Sequence, residues 1–426
     1  MSFLIINDMN YKKISVNDNL YIFDSNDFEI IKLNTDSENR IESIINSKVN
    51  DEINKTQLFN GTNTFTKRNL KIITLDFANG CTLRCNYCFA SAFKKEKSNL
   101  SKDLFLDILN FLEDIKTNHL IFYLTGLGEP TLNKDLLIEL PNICKDKGFN
   151  NCSFEMTTNG TLIDKEMASF FKTNNFTIAV SLDGDEQSNR NRVFPNGKNS
   201  FEIVFNKINI LKENNVDYYC KTVLDPSNDN LLAPFLFFES NRIPFMFGFV
   251  TDSFDKHITP TTDSLNLFEE SLKKVETYYE RIINVNQKIY SMKIINDLLR
   301  IHYGLTANYA CVATIEGVYI DMNGGIFPCS YNSSSKELNI GNIYDDIDYQ
   351  KAIDLGYYSK HVDSYKDCSS CWIKYLCSGS CFAIKWLVNN RTDIVSKYLC
   401  NIYKMYWEMI IRLYIKTYRS LIAYYV

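Results

Sequence analysis

Three cysteines, Cys81, Cys85 and Cys88, fall within eight residues, Cys-Thr-Leu-Arg-Cys-Asn-Tyr-Cys. Thiolates are soft ligands, and iron–sulfur clusters are ordinarily held by four of them. Three in one loop can hold three irons of a cubane and leave the fourth iron open to another ligand. Zinc is the alternative, but it closes its shell with a fourth Cys or His, and none adjoins this loop.

A second cysteine field lies toward the C-terminus: Cys311, Cys329, Cys368, Cys371, Cys377, Cys381 and Cys400. So many thiols in a chain without a secretory signal point to metal rather than disulfides. Between Cys311 and Cys329, the run Val318–Pro328 reads as a β-hairpin with an Asn-Gly turn, which can bring the two thiols together. On spacing alone, Cys368, Cys371, Cys377 and Cys381 also suit a zinc site. Cys144, Cys152 and Cys220 fall in or beside regular elements and read as small buried hydrophobes. Cys220, in mid-strand, is the one to watch.

The elements that must position these residues follow from hydrophobic periodicity. Candidate strands are 71–77, 119–124, 151–157, 176–182, 217–224 and 244–250. Candidate helices lie near 101–116, 133–146, 164–173, 200–214 and 228–240, with Ser101 and Asp164 as caps. Six such βα units predict an α/β fold: a parallel sheet with helices outside it. Its site belongs at the carboxyl ends of the strands, which is where the Cys81 loop stands, after 72–77 and the turn Ala78-Asn79-Gly80.

Residues 1–48 read as a small α+β unit with three short strands, 12–16, 20–23 and 28–31, and a helix over 37–47 capped by Asp36. Residues 49–68 read as a linker. Residues 261–302 read as one or two helices with Leu265, Leu267, Phe268, Leu272 and Val275 on one face. Residues 401–423 read as a terminal helix that packs Tyr403, Met405, Tyr406, Ile410, Leu413, Tyr414 and Tyr418 on the body. The four histidines, 119, 257, 302 and 361, are scattered and read as structural.

The 426 residues, 45% of them hydrophobic, suffice for two or three domains and a large core. A net charge of −5 offers no basic field for nucleic acid. No apolar run is long enough to span a membrane. The expected location is the cytoplasm.

Cys-x-x-x-Cys-x-x-Cys after the first strand of an α/β pattern resembles the radical S-adenosylmethionine enzyme family. In that family the fourth iron is chelated by the amino and carboxylate groups of S-adenosylmethionine. The resemblance extends to Tyr87, at the position of the aromatic residue that lies against the adenine. Thr125-Gly-Leu-Gly-Glu-Pro130 is similar to the family's Gly-Gly-Glu-Pro loop, with Leu127 at its first glycine; this implies Gly126, Gly128 and Glu129 as cofactor contacts. Thr157–Gly160, Ser181–Gly184 and Asn189–Arg192 resemble the ribose- and carboxylate-contacting segments. They imply Asn159, Ser181, Asp183 and Arg192, the last on the methionyl carboxylate with Arg190 as competitor.

The second cysteine field resembles the SPASM extension of the same family, which carries two auxiliary 4Fe–4S clusters. That resemblance implies Cys311, Cys329 and Cys381 for the first, and Cys368, Cys371, Cys377 and Cys400 for the second. The first set is one thiolate short. Some relatives place a cysteine six residues after the first, where this chain has Gly317. The implied fold is a partial (β/α)6 TIM-like barrel (69–304), with a C-terminal two-cluster iron–sulfur domain and terminal helix (305–426) and the small N-terminal α+β unit with its linker (1–68).

The implied cofactors are S-adenosylmethionine and three 4Fe–4S clusters. The implied partners are a precursor peptide, to whose leader residues 1–48 could bind, and an electron donor such as flavodoxin or ferredoxin. The implied activity is maturation of a ribosomally made peptide by hydrogen abstraction with a 5′-deoxyadenosyl radical. A Cys thioether is the favoured product. Formylglycine formation in a sulfatase and carbon–carbon crosslinking are the alternatives, and an electron carrier or structural zinc protein is the reading outside catalysis.

Overall fold

The computed structural model describes residues 11–33, 67–88, 90, 98–115, 117–250, 262–311, 313, 315–333, 335–355, 361–391 and 393–425. The expected helix over 37–47, the linker up to residue 66, and His257 lie outside them.

Ten strands make one sheet. Six are parallel and alternate with helices: β4 (Ile72–Asp76), β5 (Leu120–Thr125), β6 (Cys152–Thr158), β7 (Phe176–Ser181), β8 (Asp217–Leu224) and β9 (Phe245–Phe249). Each lies within a residue or so of its expected span. Ser101 caps the helix Lys102–Phe111 by accepting from the Leu104 N–H (3.1 Å). Asp164 caps Lys165–Thr173 from the Met167 N–H (2.7 Å). Period-2 alternation sends Phe122, Phe154, Phe176 and Ile178 toward the helix layer, where all are buried and the three phenylalanines stack ring on ring.

The other face is concave. Lys221 on β8 donates hydrogen bonds to Tyr123 on β5 and to Thr157 on β6 (3.1 Å to the latter). In a flat sheet β5 and β8 would stand about 14 Å apart, at ~4.8 Å per strand. The contact therefore requires the sheet to curl into a partial barrel with these side chains inside it.

The sheet does not stop at residue 304. The hairpin β10 (Gly317–Ile320) and β11 (Gly325–Phe327) turns at Asp321–Gly324, as its Asn-Gly signal predicted. β10 joins the barrel sheet beside β4, in parallel, and β12 (Gly341–Asn342) and β13 (Asp346–Ile347) extend the edge. The C-terminal cysteine region thus shares a sheet with the barrel, a junction that periodicity along the chain does not reveal.

The last helix runs Lys397–Tyr425, so Cys400 sits in its first turn rather than before it. It packs on the helix Thr262–Asn284 through buried Tyr406, Ile410 and Leu413, and through pairs of Arg412 with Glu276 (2.8 Å) and Lys416 with Glu280 (2.9 Å). Tyr418 departs from expectation: it is exposed, at the edge of the helical stripe. N-terminal strands β1 (Tyr11–Val16), β2 (Asn19–Asp24) and β3 (Ile30–Leu33) form a separate antiparallel sheet. It lodges against Trp372, beside Cys371, through Phe23 (6.2 Å, edge-on) and the Lys12 ammonium (5.3 Å).

Candidate active site

The Cys81–Cys88 loop leaves the carboxyl end of β4 and is fastened on two sides. On one, a Cβ at Gly128 would lie 2.3 Å from the backbone oxygens of Ala78 and Gly80, so only glycine lets the two loops meet. Gly126, at φ +140°, brings the backbone equally close to Asp76. The clearance these glycines provide is thus taken up by the cysteine loop itself. On the other side, Arg84 N–H donates to Val193 O (2.7 Å) and Asn86 N–H to Asn191 O (3.0 Å).

Glu129 is buried, and its carboxylate is fully engaged. It accepts from the Thr131 hydroxyl (2.6 Å), the Thr158 hydroxyl (2.5 Å) and the Asn159 N–H (2.6 Å). Burial pushes its pKa up and these bonds pull against it. Glu129 therefore pins the end of β6 to the loop after β5. That placement orients Asn159, whose amide donates to Thr82 Oγ1 (3.0 Å) and to Cys81 Sγ (3.5 Å). The Leu83 N–H also meets that sulfur (3.4 Å).

Asp183 is the hub at the end of β7. Its carboxylate accepts from Arg192 Nε (2.9 Å) and Nη2 (3.1 Å), from the Val223 N–H (3.0 Å) and from the Tyr87 hydroxyl. Arg192 is buried, and its guanidinium lies 5.3 Å from the Tyr87 ring. Burial works against the guanidinium charge, and the Asp183 carboxylate more than restores it, holding the pKa above the ordinary arginine value. Arg192 therefore meets a carboxylate inside the protein, instead of standing free for a methionyl carboxylate. Arg190, which lines the open pocket over the strand ends, hydrogen-bonds Gln187 O (3.3 Å) and no other described residue through its side chain. Tyr87, Asp183, Asn191, Val223, Asp225 and Leu231 line an open pocket of about 530 Å³ over the strand ends.

Inside the barrel, the Tyr123 hydroxyl and Thr157 Oγ1 lie 2.6 Å apart and both face Lys221. Ser181 is registered beside Lys221 on the same face. Sequence reasoning passed over this trio, although a lone lysine in the middle of an apolar strand was a signal of it. Tyr331 was passed over too. It is half-buried, and its phenol feels Cys381, Cys329, Tyr123 and Cys88, so it stands between the two cysteine fields.

The cysteines fall into three groups. The Cys81, Cys85 and Cys88 thiols feel one another; burial pushes Cys85 up to about 11, Arg192 pulls it down and the neighbouring thiols push it further up. Cys311, Cys329 and Cys381 line one pocket of about 580 Å³. Burial, then Cys381, pushes Cys311 up to about 11. Cys368, Cys371, Cys377 and Cys400 form the third group, in which burial and then Cys400 push Cys377 up to about 12. Cys381 thus parts from Cys368, Cys371 and Cys377, and the four-cysteine zinc set is not assembled. Among the described residues no three His, Cys, Asp or Glu side chains are gathered to hold a single metal ion.

The groups suit clusters on chemical grounds. Crowded, partly enclosed thiols resist losing their protons until a cationic centre compensates them, and metal coordination supplies that charge. In the Cys311 pocket, buried Asn332 accepts from the Cys329 thiol through its amide oxygen (3.4 Å), and its amide nitrogen has no hydrogen-bond partner among the described residues. That is a donor waiting for an acceptor. Cys220 does not reach this pocket: it is fully buried on β8, paired with Val180, on the face opposite Lys221. It therefore cannot be the fourth ligand. Cys144 and Cys152 hydrogen-bond each other at the other end of the barrel.

Residues 75–230 match the Radical SAM superfamily model. The chain is 27% identical over 290 residues to the cysteine-type anaerobic sulfatase-maturating enzyme of Clostridium novyi (strain NT), covering 62% of this chain and 74% of that one. Its fold superposes on native anSMEcpe with bound AdoMet at a TM-score of 0.68, with 20% identity over 83% of this chain and 98% of the other. It superposes on SuiB of Streptococcus suis bound to precursor peptide SuiA at a TM-score of 0.55, with 16% identity over 92% and 98%. The class defined by fold and site is therefore a radical S-adenosylmethionine domain on a partial barrel with a C-terminal extension. The chain is an enzyme, and the domain that residues 75–230 resemble implies S-adenosylmethionine and a 4Fe–4S cluster.

Proposed function

We propose that this enzyme matures a ribosomally made peptide, and that its product is a thioether between a cysteine sulfur and a carbon. When bound, S-adenosylmethionine and a cluster on Cys81, Cys85 and Cys88 supply hydrogen abstraction, and clusters on the two C-terminal thiol groups supply an electron sink. The protein's own residues do the positioning. Tyr87, Asp183 and Arg190 wall the nucleoside pocket, Arg192 holds Asp183 from behind, and Asn159 and the Leu83 N–H solvate the Cys81 sulfur. Lys221, Tyr123 and Thr157 floor the lumen beneath, where a peptide segment would be held.

The observation that carries the thioether reading is the Cys311 pocket: three thiols line it and no fourth cysteine does. A substrate thiol held there is positioned for capture by a nearby carbon radical, which converts an encounter into an intramolecular step. Overall, the reaction removes one hydrogen atom from carbon, one proton from sulfur and one electron as the C–S bond forms.

Formylglycine formation is the second reading, favoured by the likeness to sulfatase-maturating enzymes. The test is anaerobic incubation of reconstituted enzyme with S-adenosylmethionine and either a cysteine-containing precursor peptide or a sulfatase peptide, read by mass spectrometry. Loss of two hydrogens with sulfur retained supports the thioether. Loss of the sulfur with gain of an aldehyde establishes the second reading. Unchanged peptides in both arms, with S-adenosylmethionine cleaved, defeat both.

The three short N-terminal strands offer a sheet edge to which a leader peptide could add as a further strand. A domain organisation of 1–68, 69–304 and 305–426 goes with this proposal, with the second boundary inside a continuous sheet.

A further inference from the structure

Lys385 is a buried charge set among the C-terminal thiols. It lies on the helix Phe382–Asn389, one turn after Cys381, and its N–H donates to Cys381 O (3.1 Å). Residues four apart share a helix face, so its side chain runs along the same side as the Cys381 thiol. It is 1% exposed and lines the pocket with Cys311, Cys329 and Cys381. Its ammonium sits 3.7 Å above the centre of the Tyr365 ring. That ring in turn packs in a small cluster with Cys368 and Cys400, two members of the other C-terminal thiol group.

A full positive charge in such a place is costly unless negative charge surrounds it. Thiolates on a bound cluster would supply it: the ammonium shares one pocket with Cys311, Cys329 and Cys381 and meets Cys368 and Cys400 across the Tyr365 ring. Asn332 adds an amide donor to the same pocket.

We propose that Lys385 sets the reduction potentials of the two C-terminal iron–sulfur sites, raising both and the Cys311/Cys329/Cys381 site more. The inference rests on the reading that these thiol groups hold clusters. A cation near a cluster stabilises its reduced, more negative state, and net charge and hydrogen bonds to sulfur are among the levers by which proteins tune such centres. The first site has the cation in its wall and Asn332 as a donor. The second meets it across Tyr365. The Cys81 site, whose nearby cation is Arg192, lies outside its reach. Lys385 is thus a positioning residue for electron flow: it makes the C-terminal sites better electron acceptors.

The test is potentiometric titration of the reconstituted full-length enzyme, followed by electron paramagnetic resonance, for wild type, Lys385→Met, Lys385→Gln and Lys385→Arg. Loss of the charge should change the reduced-to-oxidised ratio of the Cys311 site at a fixed potential by about tenfold, a fall of ~59 mV for a one-electron couple. The second site should fall less, the Cys81 site should hold still, and Arg should restore the wild-type values. Midpoints unchanged in both neutral variants at full iron content overturn the proposal. So does an equal shift at all three sites, or at the Cys81 site alone. If Met prevents cluster loading, the Gln variant carries the comparison. A wild-type enzyme with only one cluster per chain overturns the cluster reading together with this one.

Discussion

Arg192 and Asp183 face each other in a buried fork, Nε to Oδ2 at 2.9 Å and Nη2 to Oδ1 at 3.1 Å, with the Tyr87 hydroxyl on the same carboxylate. The pair joins the segment after β7 to the cysteine loop, because Tyr87 lies between Cys85 and Cys88. Breaking one half of a buried pair leaves the other charge uncompensated, which costs about 3–5 kcal/mol. Asp183→Ala should lower unfolding stability by that order and weaken S-adenosylmethionine binding. Arg192→Lys should do part of the same, since an ammonium cannot make the planar fork. Denaturant titration and equilibrium dialysis check this; a cost under ~1 kcal/mol for Asp183→Ala would show that the pair is not structural.

The three thiol groups predict how iron is distributed. Replacing Cys81, Cys85 and Cys88 together by Ala should remove about a third of the iron from a three-cubane protein and all S-adenosylmethionine cleavage. Replacing Cys311, Cys329 and Cys381 should remove a similar share and leave uncoupled cleavage in place. Iron assays and chromatography of the nucleoside product decide it. Full iron retention after the second replacement contradicts the grouping.

Gly128 is testable against an internal control. A methyl there meets two backbone oxygens at 2.3 Å, so the cysteine loop must move. Gly128→Ala should abolish S-adenosylmethionine cleavage and impair cluster loading at Cys81, Cys85 and Cys88. Gly248 on β9, with nothing within 4 Å of its would-be Cβ among the described residues, should accept Ala within about 0.5 kcal/mol of stability. Cleavage at the wild-type rate in Gly128→Ala would show that the two loops are free to part.

Lys221 lies two residues before Val223, whose N–H binds Asp183, so it sits one step down the lumen from the nucleoside pocket. Lys221→Met should leave S-adenosylmethionine cleavage near wild type and lower the modified peptide formed per molecule cleaved. The ratio of nucleoside to peptide product measures the coupling. A fall in both together would place Lys221 in cofactor binding instead.

Much of this enzyme is decided locally. Alternating strands and helices arise from short-range periodicity and capping, so the βα units, the Ser101 and Asp164 caps and the Asp321–Gly324 turn were legible along the chain. The metal-ligand types and their spacing were legible too, because three thiols in one loop are a local fact. The family resemblance further implied that Cys311, Cys329 and Cys381 are one thiolate short, since Gly317 stands where some relatives carry a cysteine.

What only the tertiary structure decided depends on contacts between distant segments. β10 pairs with β4 across more than two hundred residues, which puts the C-terminal cysteines on the barrel's own sheet. Curling of that sheet brings Lys221, Tyr123 and Thr157 together from three strands. Arg192 and Asp183 lie close in sequence, but their pairing required knowing that both are buried. Lys385 reads in sequence as an ordinary helical lysine; only packing encloses it between two groups of thiols. Periodicity reports which face of an element is apolar, and long-range geometry decides what that face, or a charge upon it, will meet.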